Sequence, residues 1–203
     1  MQHLTKLFKL VELTRSQPQY GYALSGIKQD ELSNLAEHQY LVTFMAWQMA
    51  QSLIDSGAKI NLQKIFELSL IHDLGELFGG DISAPYAKTN PKAKKLAKAF
   101  EAENQRFFAK FFGSSSNHFK KLGKEILDQK TDESLVVKVA DYLECSHYLQ
   151  YVNKFSVADL SFDAAKLKGY AKKIKDKVAK KELLSYISTW EKDVMKNSHR
   201  LFE

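Results

Sequence analysis

The amino-acid sequence predicts an all-α protein folded as a single domain. Only 9 of the 203 residues are Gly and 3 are Pro, whereas the good helix formers Leu, Lys, Ala, Glu and Gln are abundant. Apolar residues recur at spacings of three and four along most of the chain, which is the period of an amphipathic helix. The sequence has no internal repeat, no convincing strand pair and no glycine-rich nucleotide-binding loop. Its length is enough for one sizeable core.

The N-terminal half of the chain predicts three helices. A short amphipathic helix covers residues 3–14, and a second helix runs to about residue 56 from Ser33 or Asn34, either of which can cap it. Asn61 is the predicted cap of the third helix, which ends where three glycines stop regular helix. An irregular loop is expected between the first two helices, at Pro18, Gly21 and Gly26.

The C-terminal half predicts five more helices. The first of them is lysine-rich, and we expect it to turn Leu96, Phe100, Phe107 and Phe111 toward a core. The predicted ranges are about 91–112, 118–128, 132–152, 163–177 and 180–197.

The formal net charge of +6 does not by itself indicate a nucleic-acid-binding protein. The lysines concentrate at 92–98 and 166–181, where they alternate with apolar residues and predict solvated helix faces. No stretch approaches the roughly 18 consecutive apolar residues of a membrane span, and charges interrupt the N-terminal segment. The single cysteine, Cys145, excludes an internal disulfide framework. We therefore expect a cytoplasmic protein with no nucleic-acid or membrane partner, whose mild positive field would attract an anionic substrate.

Ionisable residues are concentrated in one short stretch beside an apolar helix. It contains the adjacent pair His72 and Asp73, followed by Glu76 and Asp81. A desolvated carboxylate needs a partner or a metal ion. Two other helices each place one ionisable residue on an apolar stripe, and these residues are His38 and Asp141.

Convergence of His38, His72, Asp73 and Asp141 would require tertiary packing, because they are far apart in the sequence. Two imidazoles and two carboxylates, with no thiolate, suit a borderline or hard divalent ion such as Mn, Co, Fe, Zn or Mg. Each residue alone has an ordinary alternative: a satisfied core histidine, a helix-end pair, or a buried carboxylate bonded to Arg or to backbone. Likewise, Glu76 alone could be a solvated helix-end acid and Asp81 a turn residue.

The ordered set resembles the HD-domain metal-dependent phosphohydrolases. Its neighbourhood looks like the branch that contains the bacterial 5′-deoxynucleotidases and their eukaryotic relatives. The resemblance covers roughly residues 5–152 and implies one HD-domain helical bundle over 1–203, with the C-terminal helices from 160 onward packed on the motif-bearing core. It is carried by the segments Ala36-Glu-His-Gln-Tyr, Leu70-Ile-His-Asp-Leu-Gly-Glu, Gly80-Asp-Ile-Ser-Ala-Pro and Lys138-Val-Ala-Asp-Tyr-Leu-Glu.

The resemblance implies that one divalent ion is held by His38, His72, Asp73 and Asp141. Glu76 and Asp81 match the family's catalytic acids. Glu76, four residues after His72, is expected on the same side one helical turn later, as a base for the attacking water or as the group that holds this water in line. Asp81 would position water or protonate the leaving 5′-oxygen, and the sequence does not divide these two roles.

One segment departs from the family pattern. The family has an Arg and a Trp before the second helix, which contact phosphate and sugar. The resemblance places Gln19 and Tyr22 at these positions, and Arg15 or Lys88 would supply the missing charge. The implied function is hydrolysis of (deoxy)nucleoside 5′-monophosphates by a homodimer. The alternatives are hydrolysis of another nucleotide, such as a triphosphate or a signalling nucleotide, and a catalytically silent metal-binding or nucleotide-binding regulator.

Overall fold

The computed structural model describes residues 2–195, without the side chains at 2 and 23–25, and this part of the chain is all-α as predicted. Its only β-type pairing among these residues is an isolated antiparallel bridge between Pro18 and Asn34. No helix among the described residues is long and apolar enough to cross a lipid bilayer. The α-helices of this part are α1 (Gln2–Glu12), α2 (Leu35–Asp55), α3 (Leu62–Ile71), α4 (Ala84–Thr89), α5 (Pro91–Phe108), α6 (Ser116–Asp128), α7 (Asp132–Tyr151), α8 (Val157–Lys173) and α9 (Lys177–Asp193).

Side-chain caps set the starts of α2 and α3 as the sequence predicts. The side-chain oxygen of Asn34 accepts a hydrogen bond from the Glu37 N–H at 3.0 Å. Asn61 does the same for the Lys64 N–H at 3.1 Å. Each cap satisfies a backbone donor that the first turn of a helix leaves unpaired. The caps therefore place His38 in the first turn of α2 and let α3 end immediately before His72.

Several helix boundaries differ from the predicted ones. α5 ends at Phe108 and α8 at Lys173, before the predicted ends at 112 and 177. The short helix α4 lies where a loop is expected, with Pro85 near its start, a position that tolerates the missing N–H. α8 begins earlier than predicted, because Ser156 and Asp159 form a reciprocal capping box. α9 begins after Asp176, and the part of the last predicted helix beyond residue 195 lies outside the described residues, as does the rest of the C-terminal segment to 203.

The prediction for the buried face of α5 is wrong. Leu96, Phe100 and Phe107 are exposed, with 63%, 46% and 40% of their surface accessible. The buried residues of the helix are instead Asn104, Gln105 and Phe108. Asn104 and Gln105 have polar groups to satisfy, so the buried face is set by what it contacts and cannot be read from the apolar stripe alone.

The described chain forms two compact units, each built from two segments of the sequence. The first unit combines the residues up to Tyr40 with Leu70–Asp128. Its interior contains the buried rings of Phe108 and Phe119, whose centroids lie 6.4 Å apart, and the exposed Phe78 ring lies 6.1 Å from that of Phe108. Centroid separations of about 4.5–7 Å are typical of packed aromatic pairs. The single domain over 1–203 stays a prediction.

The second unit combines Leu41–Ser69 with the residues from Gln129 onward. Within it, the Asp132 carboxylate at the start of α7 accepts the backbone N–H groups of Lys175 and Asp176 at 2.8 and 2.9 Å. The Trp190 indole N–H of α9 lies 3.2 Å from Nε2 of His147 on α7. Burial lowers the pKa of His147, so this imidazole stays neutral and its Nε2 can accept a hydrogen bond from the indole N–H. These contacts tie α9 to α7 at both ends.

Asp163 gives the second unit a pH dependence. Burial raises the pKa of this carboxyl from 3.8 to about 6, and the nearby charge of Asp159 adds to the effect. The Ser146 hydroxyl lies 2.7 Å from the Asp163 carboxylate and 2.8 Å from the Tyr142 carbonyl. A protonated Asp163 can donate to Ser146 while Ser146 donates to the carbonyl, so the neutral form satisfies every group.

The pKa of Asp163 is higher in the folded state than in the unfolded state. The protonated carboxyl group therefore contributes fully to the free energy of unfolding below about pH 4, and this contribution is lost as the pH rises to about 6. Asp163→Asn removes this titration. Between these pH values we expect the free energy of unfolding of the wild type to fall by about 2–3 kcal/mol relative to the variant. Urea unfolding of both proteins across pH 4–7 measures the difference, and a difference independent of pH would contradict the assignment.

Candidate metal centre

Three of the predicted ligands converge within the first unit. His38 and His72 are almost fully buried, and Asp73 is partly buried. The Nε2 atoms of the two histidines are 3.2 Å apart. One oxygen of Asp73 lies 3.2 Å from Nε2 of His38 and 3.3 Å from Nε2 of His72. The three donor atoms therefore form a nearly equilateral triangle.

This triangle fits a divalent metal ion. Metal–ligand distances of about 2.1 Å place neighbouring ligand atoms about 3.0 Å apart in an octahedral shell and about 3.4 Å apart in a tetrahedral one. The observed distances of 3.2–3.3 Å lie between these values. Neutral imidazole and carboxylate are donors that Zn, Mn, Co and Fe accept. The two facing nitrogens share at most one proton, so a cation between them satisfies both lone pairs.

The backbone after α3 brings the ligands inward. Asp73 leaves the α-helical conformation, with φ −113° and ψ 11°, and a short 3₁₀ turn, Leu74–Glu76, follows it. The carbonyl of Asp73 accepts the N–H of Glu76 at 2.8 Å. The four-residue spacing predicts Glu76 on the same α-helical face as His72. The structure contradicts this prediction, because the α-helix ends before Glu76. Glu76 belongs to a tighter turn that begins after the ligand pair.

Helix α5 fixes that turn in place. The buried side chain of Asn104 donates a hydrogen bond from Nδ2 to the carbonyl of Gly75 at 2.7 Å. A Cβ atom on Gly75 would lie 2.9 Å from the backbone oxygen of Glu101, so only glycine allows this approach. Asn104 is not among the residues that the sequence pattern predicts for the site. The sequence feature that could identify Asn104 is its position: it is a polar residue four residues after Phe100, on a helix stripe that is otherwise apolar.

Asn104→Asp tests this support. The substitution keeps the shape of the side chain but replaces the NH₂ donor with an acceptor that faces a carbonyl. We expect the free energy of unfolding to fall by about 1–3 kcal/mol, because a buried acceptor loses its partner. Urea unfolding measures it.

Asn90→Asp is the matched control on the same helix. Asn90 caps α5 by accepting the N–H of Ala93 at 3.0 Å, a contact that an aspartate keeps. Equal losses of stability in the two variants would contradict the role of Asn104 as a donor.

Two glycines directly precede Asp81. Gly79 and Gly80 have φ of +94° and +107°, a conformation that favours glycine. The Asp81 carboxylate accepts the backbone N–H of Gly21, in the short 3₁₀ helix Tyr20–Ser25. Asp81 is therefore held from a second segment of the first unit. The sequence pattern predicts Gly21 only as part of a loop and not as a contact of Asp81.

Asp141 lies in the second unit, on α7, where it is buried. Its carboxylate accepts a hydrogen bond from the Lys138 ammonium group, one turn earlier on the same helix. Cys145, one turn later, has its sulfur 3.8 Å from the other carboxylate oxygen. The adjacent positive charge favours the ionised carboxylate that a metal ligand must be.

The predicted substrate contacts have different environments. Gln19 and Tyr22 are buried, and the Gln19 backbone N–H donates to the Ser33 carbonyl at 2.9 Å. The Arg15 guanidinium is exposed and bonds to the Glu12 carboxylate at 2.7 Å. Lys88 is exposed in the last turn of α4. The role of each in substrate binding stays a prediction.

Residues 11–183 match the model of the HD domain, and the chain belongs to that family. The relatives that it resembles include a 5′-deoxynucleotidase from Vibrio vulnificus (strain YJ016), 30% identical over 139 residues, which are 66% of this chain and 68% of the relative. A 5′-deoxynucleotidase from Dictyostelium discoideum is 25% identical over 146 residues, covering 71% and 74% of the two chains.

Solved structures support the same fold. A conserved hypothetical protein from Pyrococcus furiosus is 23% identical and matches with a TM-score of 0.67 over 91% of this chain and 99% of its own. The predicted family and the all-α fold are thus confirmed. The family and the names of the relatives support a hydrolase, and the cluster of histidine and aspartate side chains could hold a divalent metal ion.

Proposed function

We propose that the chain is a metal-dependent phosphomonoesterase that converts nucleoside 5′-monophosphates, preferentially deoxynucleotides, to nucleoside and phosphate. The observation that carries the proposal is the buried triangle of His38, His72 and Asp73. The relatives named 5′-deoxynucleotidases supply the substrate class. A buried metal centre with two further carboxylates close by in the sequence, Glu76 and Asp81, suits hydrolysis of a phosphate ester better than simple metal storage.

Asp141 is the proposed fourth ligand. Its support is its position in the family motif, its burial and the Lys138 ammonium group that keeps it ionised. With His38, His72 and Asp73 it would supply two nitrogen and two oxygen donors. A divalent ion bound there would polarise a phosphoryl oxygen and stabilise the charge that develops on it.

Glu76 and Asp81 are the proposed acid–base residues. Glu76 ends the turn that follows Asp73, so it is close in the chain to the ligands and can take a proton from the attacking water. Asp81 accepts the N–H of Gly21, a contact that favours its ionised form. We therefore assign Asp81 to orienting water or substrate, and protonation of the leaving 5′-oxygen is its alternative role.

The region around Gln19 gives a second candidate function some support. A neutral glutamine at the family's Arg position lacks the charge that binds phosphate, and Arg15 is engaged by Glu12. A silent protein that binds metal or nucleotide would keep the triangle but lose turnover. The homodimer stays a prediction. Light scattering after size-exclusion chromatography tests it by measuring the molar mass of the protein in solution.

Phosphate release from a panel of nucleotides, with several divalent metals, tests the proposal. We expect release from deoxynucleoside 5′-monophosphates, loss of that activity after chelation, and recovery when metal is returned. Release only from triphosphates or signalling nucleotides would replace the substrate. Metal binding without release from any nucleotide would favour the silent protein.

A further inference from the structure

The loop that carries Gly21 is fixed to the start of α2. The Leu35 N–H donates to the Gln17 carbonyl at 2.8 Å, and the Gln19 N–H donates to the Ser33 carbonyl at 2.9 Å. These two bonds flank the antiparallel bridge between Pro18 and Asn34. The backbone next to Gly21 is thus held against the segment that leads into His38.

Space, and not backbone conformation, favours glycine at position 21. The φ of Gly21 is not positive, so alanine could adopt its backbone conformation. A Cβ atom there would lie 3.0 and 3.1 Å from the two oxygens of Asp81 and 3.4 Å from its Cγ. Those contacts are tighter than ordinary van der Waals contacts, so the carboxylate would have to shift by a few tenths of an ångström.

The backbone that precedes Asp81 also restricts the position of this residue. Gly79 and Gly80 turn the chain directly before it, and a Cβ atom on Gly80 would lie 2.9 Å from the Phe100 ring. The backbone conformation therefore sets the position of the Asp81 main chain, and the hydrogen bond from the Gly21 N–H sets the position of its carboxylate oxygen.

We infer that Gly21 is a positioning residue of the site, which holds the Asp81 carboxylate with its N–H and leaves room for it by having no side chain. This inference rests on the proposed function only for the role of Asp81 in turnover. The physical coupling between Gly21 and Asp81 is independent of any reaction.

Gly21→Ala is the test, and Gly169→Ala is its matched control. Gly169 lies within α8, where an added Cβ meets nothing within 4 Å. We expect Gly21→Ala to lower kcat by roughly tenfold to a hundredfold, with KM and metal content near those of the wild type. Gly169→Ala should leave all three unchanged. Wild-type kcat in Gly21→Ala would overturn the inference.

A double-mutant cycle in thermal stability separates this inference from the proposed function. Gly21→Ala should lower the Tm of the wild type, but leave unchanged or raise that of Asp81→Ala, where the crowding oxygens are gone. Equal shifts in both backgrounds would overturn the coupling. If the wild type releases no phosphate from any nucleotide, the proposed function fails, and the cycle alone decides whether Gly21 positions Asp81.

Discussion

Asp73→Ala is expected to abolish metal binding and phosphate release together. The Asp73 carboxylate oxygen is the only oxygen corner of the triangle within the first unit, at 3.2–3.3 Å from both histidine nitrogens. Its removal leaves two neutral imidazoles and, of the proposed ligand set, the single carboxylate of Asp141, which balances only half the charge of a divalent ion. We expect metal affinity to fall by at least about a hundredfold, since the loss of a mere supporting residue already costs ten- to a hundredfold.

Two measurements check this prediction. Metal content of the purified protein should fall from stoichiometric to trace, and added metal should raise the Tm of the wild type but not of the variant. Asp30→Ala, at an exposed position in the first unit, is the control and should behave as the wild type. An Asp73→Ala protein with full metal content would mean that the ion is held elsewhere.

Glu76→Ala is expected to separate metal binding from turnover. Glu76 is not part of the triangle, so the variant should keep its metal and its affinity for substrate. The loss of a general base lowers kcat by roughly a hundredfold to ten-thousandfold. Steady-state kinetics with a deoxynucleoside 5′-monophosphate measures kcat and KM separately. If the variant instead loses its metal, Glu76 is a ligand and its assigned role is wrong.

Glu103→Ala is the matched control for Glu76. Glu103 is exposed on α5 and forms an ion pair with Arg106 on the same helix. Exposed ion pairs of this kind contribute little to stability. We therefore expect activity, metal content and Tm of Glu103→Ala to match those of the wild type.

Local signals account for the parts of the site that the sequence predicts. Asn34 and Asn61 are caps whose effect is confined to one helical turn, so the starts of α2 and α3 follow from neighbouring residues. His38 lies in the first turn of α2, and His72 directly follows the last residue of α3. The adjacent His-Asp pair of the family motif identifies Asp73 as the third member of the triangle. The triangle was therefore predictable as a set of residues, although its distances were not.

The supporting contacts depend on packing between distant segments. Asn104 reaches Gly75 only because α5 crosses the turn after α3, and Gly21 meets Asp81 across a loop. Neither pairing leaves a periodic signal in the sequence. The same cause explains the wrong face predicted for α5, where Leu96 is exposed and Asn104 is buried. Tertiary contacts override an apolar pattern when a polar group finds a specific partner.

The most direct test of a hydrolytic metal centre measures two quantities in one preparation of the wild type and of Glu76→Ala. Metal content is measured by mass spectrometry, and phosphate release from deoxynucleoside 5′-monophosphates is measured alongside it. We predict one metal ion per chain in both proteins and phosphate release only in the wild type. A wild-type protein that carries no metal, or carries it and releases no phosphate, would contradict the proposed hydrolase.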